Sequence, residues 1–311
     1  MVDREPLPHS SLFRELEREL EAVTGQPPVE LYHYTDASGF LGIVKNHSLW
    51  ATNALFLNDA EEIKYGISIF LAVIDSMRKS RGASPNSREL TFFEIVDHWP
   101  QWMSDATTYV CCLSAAGNQL SQWRAYSGQG TGYSIVFPTS KMNLSAQSNP
   151  DDMTSSQGPS VLVKVIYERE QQFKLVEMAV KIFLDYIGRL SQPEWDRQDM
   201  TLFEPFYYRM ESLLTGMKRH SFSEEEEWRL VHRISSLFSD PPKCLFRTSR
   251  SGMLLPYCSM VAADDLLPIA RVIVGPSNYS DLTMMSAKEC LRSNGYENTN
   301  VESCNIPLRE L

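Results

Sequence analysis

Residues 224–231 read EEEEWRLV, and the way this stretch folds decides the architecture predicted for the chain. Four consecutive glutamates run directly into an apolar segment that is typical of a β-strand. If the strand begins inside the run, alternation places Glu225, Glu227 and Arg229 on one face. Two carboxylates ~7 Å apart on that face, beside a guanidinium, could stabilise positive charge that develops on a substrate.

The same stretch also fits the beginning of a helix. Ser221 and Glu224, and likewise Ser223 and Glu226, have the spacing of a helix capping box. Acidic residues also suit the first turn of a helix. The run by itself therefore leaves a strand start and a solvated helix cap both open.

Composition limits the classes of protein to which the chain can belong. Its 311 residues suffice for one large domain or two modest ones. No apolar run approaches the ~20 residues of a membrane span, and the polar segment 1–10 does not resemble a signal peptide. The net charge of −10 gives no general attraction to nucleic acid or to an anionic membrane, although a local basic patch is compatible with it.

The six cysteines indicate the compartment. None of them forms a CxxC pair, and Cys111 and Cys112 are adjacent in an apolar, strand-like segment. We interpret them as reduced thiols of a cytoplasmic protein.

Strand-like and helix-like segments intermix without a regular βα period. This pattern predicts an α+β fold with a mixed, mostly antiparallel sheet. We expect an N-terminal helix and linker at 1–28, then a single domain at 29–311 with a helical insertion at about 173–217. Segment 141–159 is rich in Ser, Asn, Asp and Gln and is the best linker candidate. Strands are predicted at 30–34, 48–52, 107–113, 132–137, 161–167 and 269–274.

The segment around His33 is a candidate binding site. In the predicted strand, Leu31, His33 and Thr35 share a face. A neutral imidazole there could donate a hydrogen bond to a ribose hydroxyl, and Thr35 could add another. The alternative is a histidine at the edge of the core that is bonded to the backbone.

Residues 121–126, SQWRAY, are predicted to form a short helix ahead of three spaced glycines. The order of helix, glycines and strand is not that of a dinucleotide-binding fingerprint. Arg124 could pair with a phosphate or could be a solvated helix arginine. Trp123 and Tyr126 share a helix face, where they could stack on a ligand ring or pack in the core.

Two further groups of charged residues are candidate ligand-binding groups. Asp59 and Glu62 suggest either a cation site or a capping box. Lys243, Arg247 and Arg250 form a small basic cluster that hints at phosphate contact. No HExxH, Walker or GxSxG signature is present.

The motifs, taken in order, resemble those of the DUF2971 family, a widespread and mostly bacterial family named for having no assigned function. The resemblance covers roughly 31–274. It rests on YHYT at 32–35, SLWAT at 48–52, LNDxxE at 57–62, CLS at 112–114, LSQWRAY at 120–126, GYSIVF at 132–137 and ExEWR at 225–229. In this context the glutamate run is better interpreted as a strand start.

A looser resemblance concerns function. The opening YHYT strand, the helix after it and the SLWAT strand are similar to the opening of ADP-ribosyltransferase-like folds. The resemblance implies that His33 and Thr35 hold the ribose of NAD and that Tyr34 or Trp50 flanks nicotinamide. It also implies that a late glutamate at the head of a strand, here Glu227, is catalytic.

In this assignment Glu225 helps to activate an acceptor, and Ser121, Arg124 and Tyr126 complete the cofactor-binding set. The expected function is an NAD-dependent ADP-ribosyltransferase or NAD glycohydrolase, with NAD as substrate and no metal. It would act as a bacterial toxin or anti-phage effector on an acceptor that is a protein or a nucleic acid.

Two alternatives remain open at the level of sequence. The first is a metal-dependent nuclease or phosphoesterase, with its metal at Asp59, Glu62 and the glutamate run. The second is a non-enzymatic module that binds a nucleotide or a protein through a pocket of His33, Trp123 and Arg124.

Overall fold

A computed structural model describes most of the chain and divides it into two compact units. We call Met1–Gln26, Asn58–Ala106 and Ile166–Phe222 the helical unit, and Pro27–Leu57, Thr107–Val165 and Ser223–Leu311 the sheet unit. The described residues are 14, 17–18, 20–22, 24–57, 61–81, 87–104, 108–126, 132–147, 157–196, 203–233, 244–249, 252–263, 266–304 and 306. Most of the helix predicted near the N-terminus lies outside them.

The sheet unit contains twelve strands among its described residues. They are β1 (Glu30–Thr35), β2 (Ser48–Asn53), β3 (Thr108–Ser114), β4 (Tyr133–Pro138), β5 (Leu144–Gln147), β6 (Gln157–Pro159), β7 (Val161–Lys164), β8 (Glu227–Arg233), β9 (Leu245–Thr248), β10 (Leu254–Ala262), β11 (Arg271–Val274) and β12 (Asn300–Ser303).

The strands form one sheet in which nearly every pairing is antiparallel. Its order is β12-β11-β4-β1-β3-β2-β10-β5-β6, with β8 pairing β3 and β7, and β9 pairing β10. Among the described residues only β11 and β12 pair in parallel. Since helices accompany this mixed, mostly antiparallel sheet, the predicted α+β class is confirmed.

Strand β3 is the point at which the sheet splits. Along one edge it pairs with β8 over its whole length, from Thr108 opposite Arg233 to Ser114 opposite Glu227. Along the other edge it meets β1 only at Ser114 and meets β2 at Tyr109 and Val110. Between these two contacts, Cys111, Cys112 and Leu113 have no strand partner on that edge among the described residues. We call this gap the sheet split.

Three helices belong to the sheet unit: α1 (Ala37–Asn46), α4 (Leu120–Tyr126) and α8 (Ser280–Ser293). Helix α1 starts at a side-chain cap, because Oδ1 of Asp36 accepts a hydrogen bond from the Gly39 amide at 2.8 Å. Its buried residues Phe40, Ile43 and Val44 recur at helical spacing and join the sheet core. This packing holds the chain between the end of β1 and the start of β2.

The helical unit contains α2 (Glu61–Arg81), α3 (Ser87–Ser104), α5 (Arg169–Arg189), α6 (Gln192–Asp196) and α7 (Glu204–Thr215). Its interior is aromatic: the rings of Phe183 and Phe206 stack at 4.4 Å, and Phe92 lies 5.6 Å from each. The insertion predicted at about 173–217 therefore shares a compact unit with the helices at 61–104.

Several buried polar groups in the helical unit form hydrogen bonds or ion pairs. The Gln172 amide donates to the backbone oxygens of Ile166 and Lys218, at 2.6 and 2.9 Å, and accepts from the Tyr65 hydroxyl at 2.8 Å. Nζ of Lys218 lies 3.1 Å from Oε1 of Glu62, and both side chains are almost fully buried. None of the helices in the described segments has the length and apolar character needed to cross a membrane.

Two local predictions were wrong. Glu225 does not lie on the predicted strand, which begins at Glu227, the last glutamate of the run, because a 3-10 segment occupies His220–Glu225 and Glu226 has a φ of 43°. The proposed linker 141–159 contains β5 and β6, which extend the sheet beyond β10. Polar composition was misleading there, since edge strands tolerate polar side chains.

Candidate functional site

His33 projects from β1 into the sheet split. Its Nδ1 lies 2.9 Å from the backbone oxygen of Cys112, which has no strand neighbour on this edge. Because a carbonyl oxygen can only accept, Nδ1 carries the proton and Nε2 presents its lone pair. Burial lowers the pKa of His33, and the nearby charge of Arg247 lowers that pKa further. His33 is therefore a neutral hydrogen-bond acceptor, anchored to the backbone as the structural alternative predicted.

Arg247 lies on β9 and contacts residues of β2, the strand on the other flank of the sheet split. Its Nη2 donates to Oγ1 of Thr52 at 2.8 Å, and its Cζ lies 5.9 Å from the centroid of the Trp50 ring. Burial lowers the pKa of Arg247. The weaker charge effects of Cys111, Tyr257 and Asp36 act in the opposite direction and raise that pKa. Arg247 thus brings a positive charge to the β2 side of the split.

Trp50 and Tyr257 supply flat surfaces next to this charge. Their ring centroids are 5.5 Å apart with an interplanar angle of 46°. The ring of Trp50 also packs over α1, where a Cβ added at Gly42 would lie 2.3 Å from its Cη2 atom. Both rings are half-buried, so part of each remains accessible. His33, Trp50, Thr52, Arg247 and Tyr257 together are called the split cluster below.

Two N–H groups of the split cluster are buried without an acceptor among the described residues. They are Nε1 of Trp50 and Nε of Arg247. Native structures leave few buried donors unpaired, so each such group needs an explanation. Two of them on neighbouring side chains make the split cluster the strongest candidate binding site in the described part of the chain.

Glu227 makes a different kind of contact. Oε1 accepts from Nε of Arg229 and Oε2 accepts from Nη2 of Arg229, both at 2.9 Å. Both side chains are nearly excluded from solvent. The Cys112 thiol lies against the pair, and burial, followed by the Glu227 charge, raises the pKa of that thiol. Glu227 is therefore half of a buried, bidentate ion pair.

His33 and Glu227 lie on opposite faces of the sheet. Cys111 and Cys112 are consecutive in β3 and so point to opposite sides. The Cys111 sulfur is 3.9 Å from Nδ1 of His33, whereas Cys112 interacts with Glu227 and Arg229. The described arrangement does not bring the predicted ribose contact and the predicted catalytic glutamate to one side.

Glu225 does not share the strand face of Glu227. It ends the 3-10 segment two residues before β8, and its backbone oxygen accepts from Oγ of Ser114 at 2.7 Å. Glu226, with its left-handed backbone, turns the chain between the two. The period-2 alternation that predicted a carboxylate pair therefore does not apply across Glu226.

The remaining predicted residues form two groups. Thr35 continues the His33 side of β1, next to Gly39 of α1. Tyr34 points to the other side, where its hydroxyl donates to the Ala116 oxygen at 2.6 Å and its ring meets that of Trp123 edge-on at 4.9 Å. Burial raises the pKa of Tyr34 to about 12.

Helix α4 belongs to the Tyr34 side. Tyr126 packs against the cluster that contains Tyr34 and Trp123, so the two predicted stacking rings are core contacts. Arg124 is exposed, and the hydroxyl of Ser121 is buried without a partner among the described residues. The structure therefore brings Tyr34 and Tyr126 together, on the side of β1 opposite His33.

The other members of the split cluster have weak sequence signals. The sequence indicates Arg247 only as part of a basic cluster, whose Lys243 and Arg250 lie outside the described residues. No sequence pattern indicates Thr52 or Tyr257 as a site residue. A charged residue inside a short apolar segment was the one available signal.

The alternative function required a metal at Asp59, Glu62 and the glutamate run. Among the described residues, no group of three or more His, Cys, Asp or Glu side chains could hold an ion. Glu62 is engaged with Lys218, and Asp59 lies outside the described residues. The proposed metal site therefore gains no support from the geometry.

Comparison with known proteins gives one match. No curated protein and no solved structure is significantly similar to this chain. The model of one family, described as "Protein of unknown function (DUF2971)", matches residues 122–230. That segment includes Arg124, Tyr126 and Glu227 but not His33 or Trp50. The resemblance to the DUF2971 family is thus confirmed, and residues 122–230 carry the family match.

Proposed function

We propose that this chain binds NAD at the split cluster and acts as an NAD-dependent ADP-ribosyltransferase or NAD glycohydrolase. The observation that carries the proposal is the setting of His33. Its Nδ1 is held by the Cys112 backbone, its Nε2 presents a lone pair, and the charge of Arg247, whose guanidinium lies over the Trp50 ring, acts on its imidazole. A ribose hydroxyl could donate to Nε2, and a nicotinamide or adenine ring could lie on Trp50.

The chemistry of this proposal is cleavage of the nicotinamide–ribose bond. Positive charge develops on the ribose as that bond breaks, and a fixed hydrogen bond to a ribose hydroxyl orients the sugar for the step. His33 suits this positioning role because it is neutral and its ring is held by a backbone contact. ADP-ribose would then pass to water or to an acceptor on a protein or nucleic acid.

The pairing of Glu227 with Arg229 favours a second candidate function. Both of its carboxylate oxygens are hydrogen-bonded to Arg229, on the face opposite His33. A carboxylate in that position is held within β8 and does not reach a ribose bound at His33. The second candidate is therefore a nucleotide-binding module that holds NAD or a related nucleotide without cleaving it.

The proposed setting is the cytoplasm of a bacterium, where the protein would act as a toxin or anti-phage effector. All six cysteines are free, which suits a reducing compartment. NAD is available there as a substrate.

The test measures NAD binding by calorimetry and nicotinamide release by chromatography on the purified full chain. His33→Ala should abolish release and weaken binding, whereas His98→Ala, at an exposed helix position, should change neither. Circular dichroism confirms that each variant is folded. Binding without release, with and without cell extract as a source of acceptor, assigns the binding module. Absence of both in the wild-type protein refutes the proposal.

A further inference from the structure

The guanidinium of Arg247 lacks a carboxylate partner among the residues that the structure describes. Its one hydrogen bond goes to the Thr52 hydroxyl, which is neutral and does not balance the charge. Arg229, by contrast, is fully paired with the Glu227 carboxylate. Withdrawing a cation from water without a counter-charge is unfavourable, and burial accordingly lowers the pKa of Arg247. Asp36 attracts Arg247 without a direct ion pair, so no described carboxylate is in contact with this guanidinium.

The two unpaired donors point to the same missing group. Nε of Arg247 and Nε1 of Trp50 are both buried without an acceptor in the described part of the chain. They belong to a guanidinium and an indole ring that contact each other, with Cζ 5.9 Å from the ring centroid. Since each N–H needs an oxygen and the guanidinium needs an anion, one anionic oxygen ligand meets both requirements.

The surroundings indicate the class of anion. The half-buried rings of Trp50 and Tyr257 lie beside the charge and offer surfaces for an aromatic base. Guanidinium groups bind phosphate oxygens through directed N–H bonds. A nucleotide has both parts that this surface can bind: its phosphate would contact the guanidinium and the two N–H donors, and its base would lie against the aromatic rings.

The geometry points to Arg247 and Trp50 as the phosphate-binding subsite of the split cluster, with a nucleoside diphosphate group as its ligand. Phosphate oxygens accept from Nε of Arg247 and Nε1 of Trp50, while Thr52 keeps the guanidinium in place through Nη2. This inference rests on the proposed nucleotide site, and it names the part of the ligand that binds there.

The experiment titrates the full chain with ADP, inorganic pyrophosphate and adenosine by calorimetry. Arg247→Met removes the charge and keeps an apolar stem, and Trp50→Phe removes only the N–H and keeps an aromatic ring. Arg292→Met is the matched control, because Arg292 is an exposed arginine of the same unit. Circular dichroism again confirms folding.

We expect wild-type protein to bind ADP more tightly than pyrophosphate and to bind adenosine weakest, because only ADP supplies both phosphate and base. Loss of a hydrogen bond to a charged group corresponds to a change of about 10- to 100-fold. Arg247→Met should weaken ADP binding by that factor and Trp50→Phe by about 3- to 10-fold, a range expected for a smaller contribution. The control should leave binding unchanged.

A stability measurement covers the case in which a variant binds nothing. Without ligand, Arg247→Met should unfold at the same urea concentration as wild type or a higher one, because it removes an unbalanced charge. Excess ADP should stabilise wild type and not Arg247→Met. If unliganded Arg247→Met is strongly destabilised, the guanidinium is structural and the inference is wrong.

The remaining outcomes separate this inference from the proposed reaction. ADP binding that depends on Arg247, without any cleavage of NAD, supports the subsite and refutes the reaction. NAD cleavage together with undiminished ADP binding by Arg247→Met refutes the subsite and leaves the reaction standing. Pyrophosphate binding without ADP binding overturns the nucleotide class.

Discussion

Replacing Glu227 with glutamine should destabilise the sheet unit severely, because it would remove the carboxylate that forms two hydrogen bonds and an ion pair with the buried Arg229 guanidinium. Arg229 is 1% exposed and Glu227 is 6% exposed, so little water could replace the lost carboxylate. Breaking a buried ion pair by removing one partner costs about 3–5 kcal/mol. The two hydrogen bonds, each about 1.5–3 kcal/mol for a charged group, give a similar sum.

That loss is a large part of the roughly 5–15 kcal/mol by which a native domain is stable. Urea denaturation, monitored by tryptophan fluorescence, measures the loss in the free energy of unfolding, since Trp228 lies between the two paired residues in β8. Removing both charges, as Glu227→Leu with Arg229→Met, should restore stability to within about 2 kcal/mol of wild type. Glu289→Gln, which breaks an exposed pair with Arg292, serves as the control and should not change stability measurably.

The reasoning fails if Glu227→Gln alone is as stable as wild type within about 0.5 kcal/mol, the range of an ordinary surface substitution. It also fails if the double variant is no more stable than the single one. A stable Glu227→Gln protein that had lost NAD cleavage would return Glu227 to a catalytic role.

Three further outcomes follow from single contacts. Burial lowers the pKa of His232 to about 4, so the folded state stays neutral while the unfolded state gains a proton below its ordinary value of 6.5. Stability should therefore fall as the pH drops from 6.5 towards 4, and His232→Phe should flatten that part of a stability–pH curve measured by urea denaturation. Gly42→Ala should displace the ring of Trp50 and change its fluorescence, whereas Gly188→Ala, with nothing within 4 Å of the added Cβ, should be neutral or stabilising. Gln172→Leu should speed amide hydrogen exchange in the helical unit and cost about 1–3 kcal/mol for the Lys218 backbone oxygen that loses its donor, because the Ile166 oxygen still accepts from the Lys218 amide at 3.2 Å.

Local sequence patterns predicted most of the strands and helices. The strands at Glu30–Thr35, Ser48–Asn53 and Thr108–Ser114 lie within one or two residues of their predicted bounds. Alternation and helical spacing act over a few residues, so they can be read without tertiary information. The strand start in the glutamate run was predicted, but Glu225 was wrongly placed on the strand, because the left-handed turn at Glu226 ends the alternation and glutamate in a run gives no signal for such a turn.

The candidate site was only partly predictable for the same physical reason. His33 and Trp50 lie in recognisable motifs, and the structure places both near Arg247. Arg247 stands 195 residues from its hydrogen-bond partner Thr52, in a four-residue strand with no motif of its own. The position of Arg247 against Trp50 depends on how β9 pairs with β10 and on how β10 pairs with β2.

The sequence by itself determined most of the segments that are strands or helices, and it determined which side chains share a face within a regular strand. It also determined that His33 lies on a strand just before a helix. Only the tertiary structure decided which faces meet. The register of β3 with β1 and β8 sets His33 and Glu227 on opposite sides, and a shift of one residue would reverse one of them. Register depends on contacts between distant segments, and therefore the glutamate run predicted a strand but not the partner of its carboxylate.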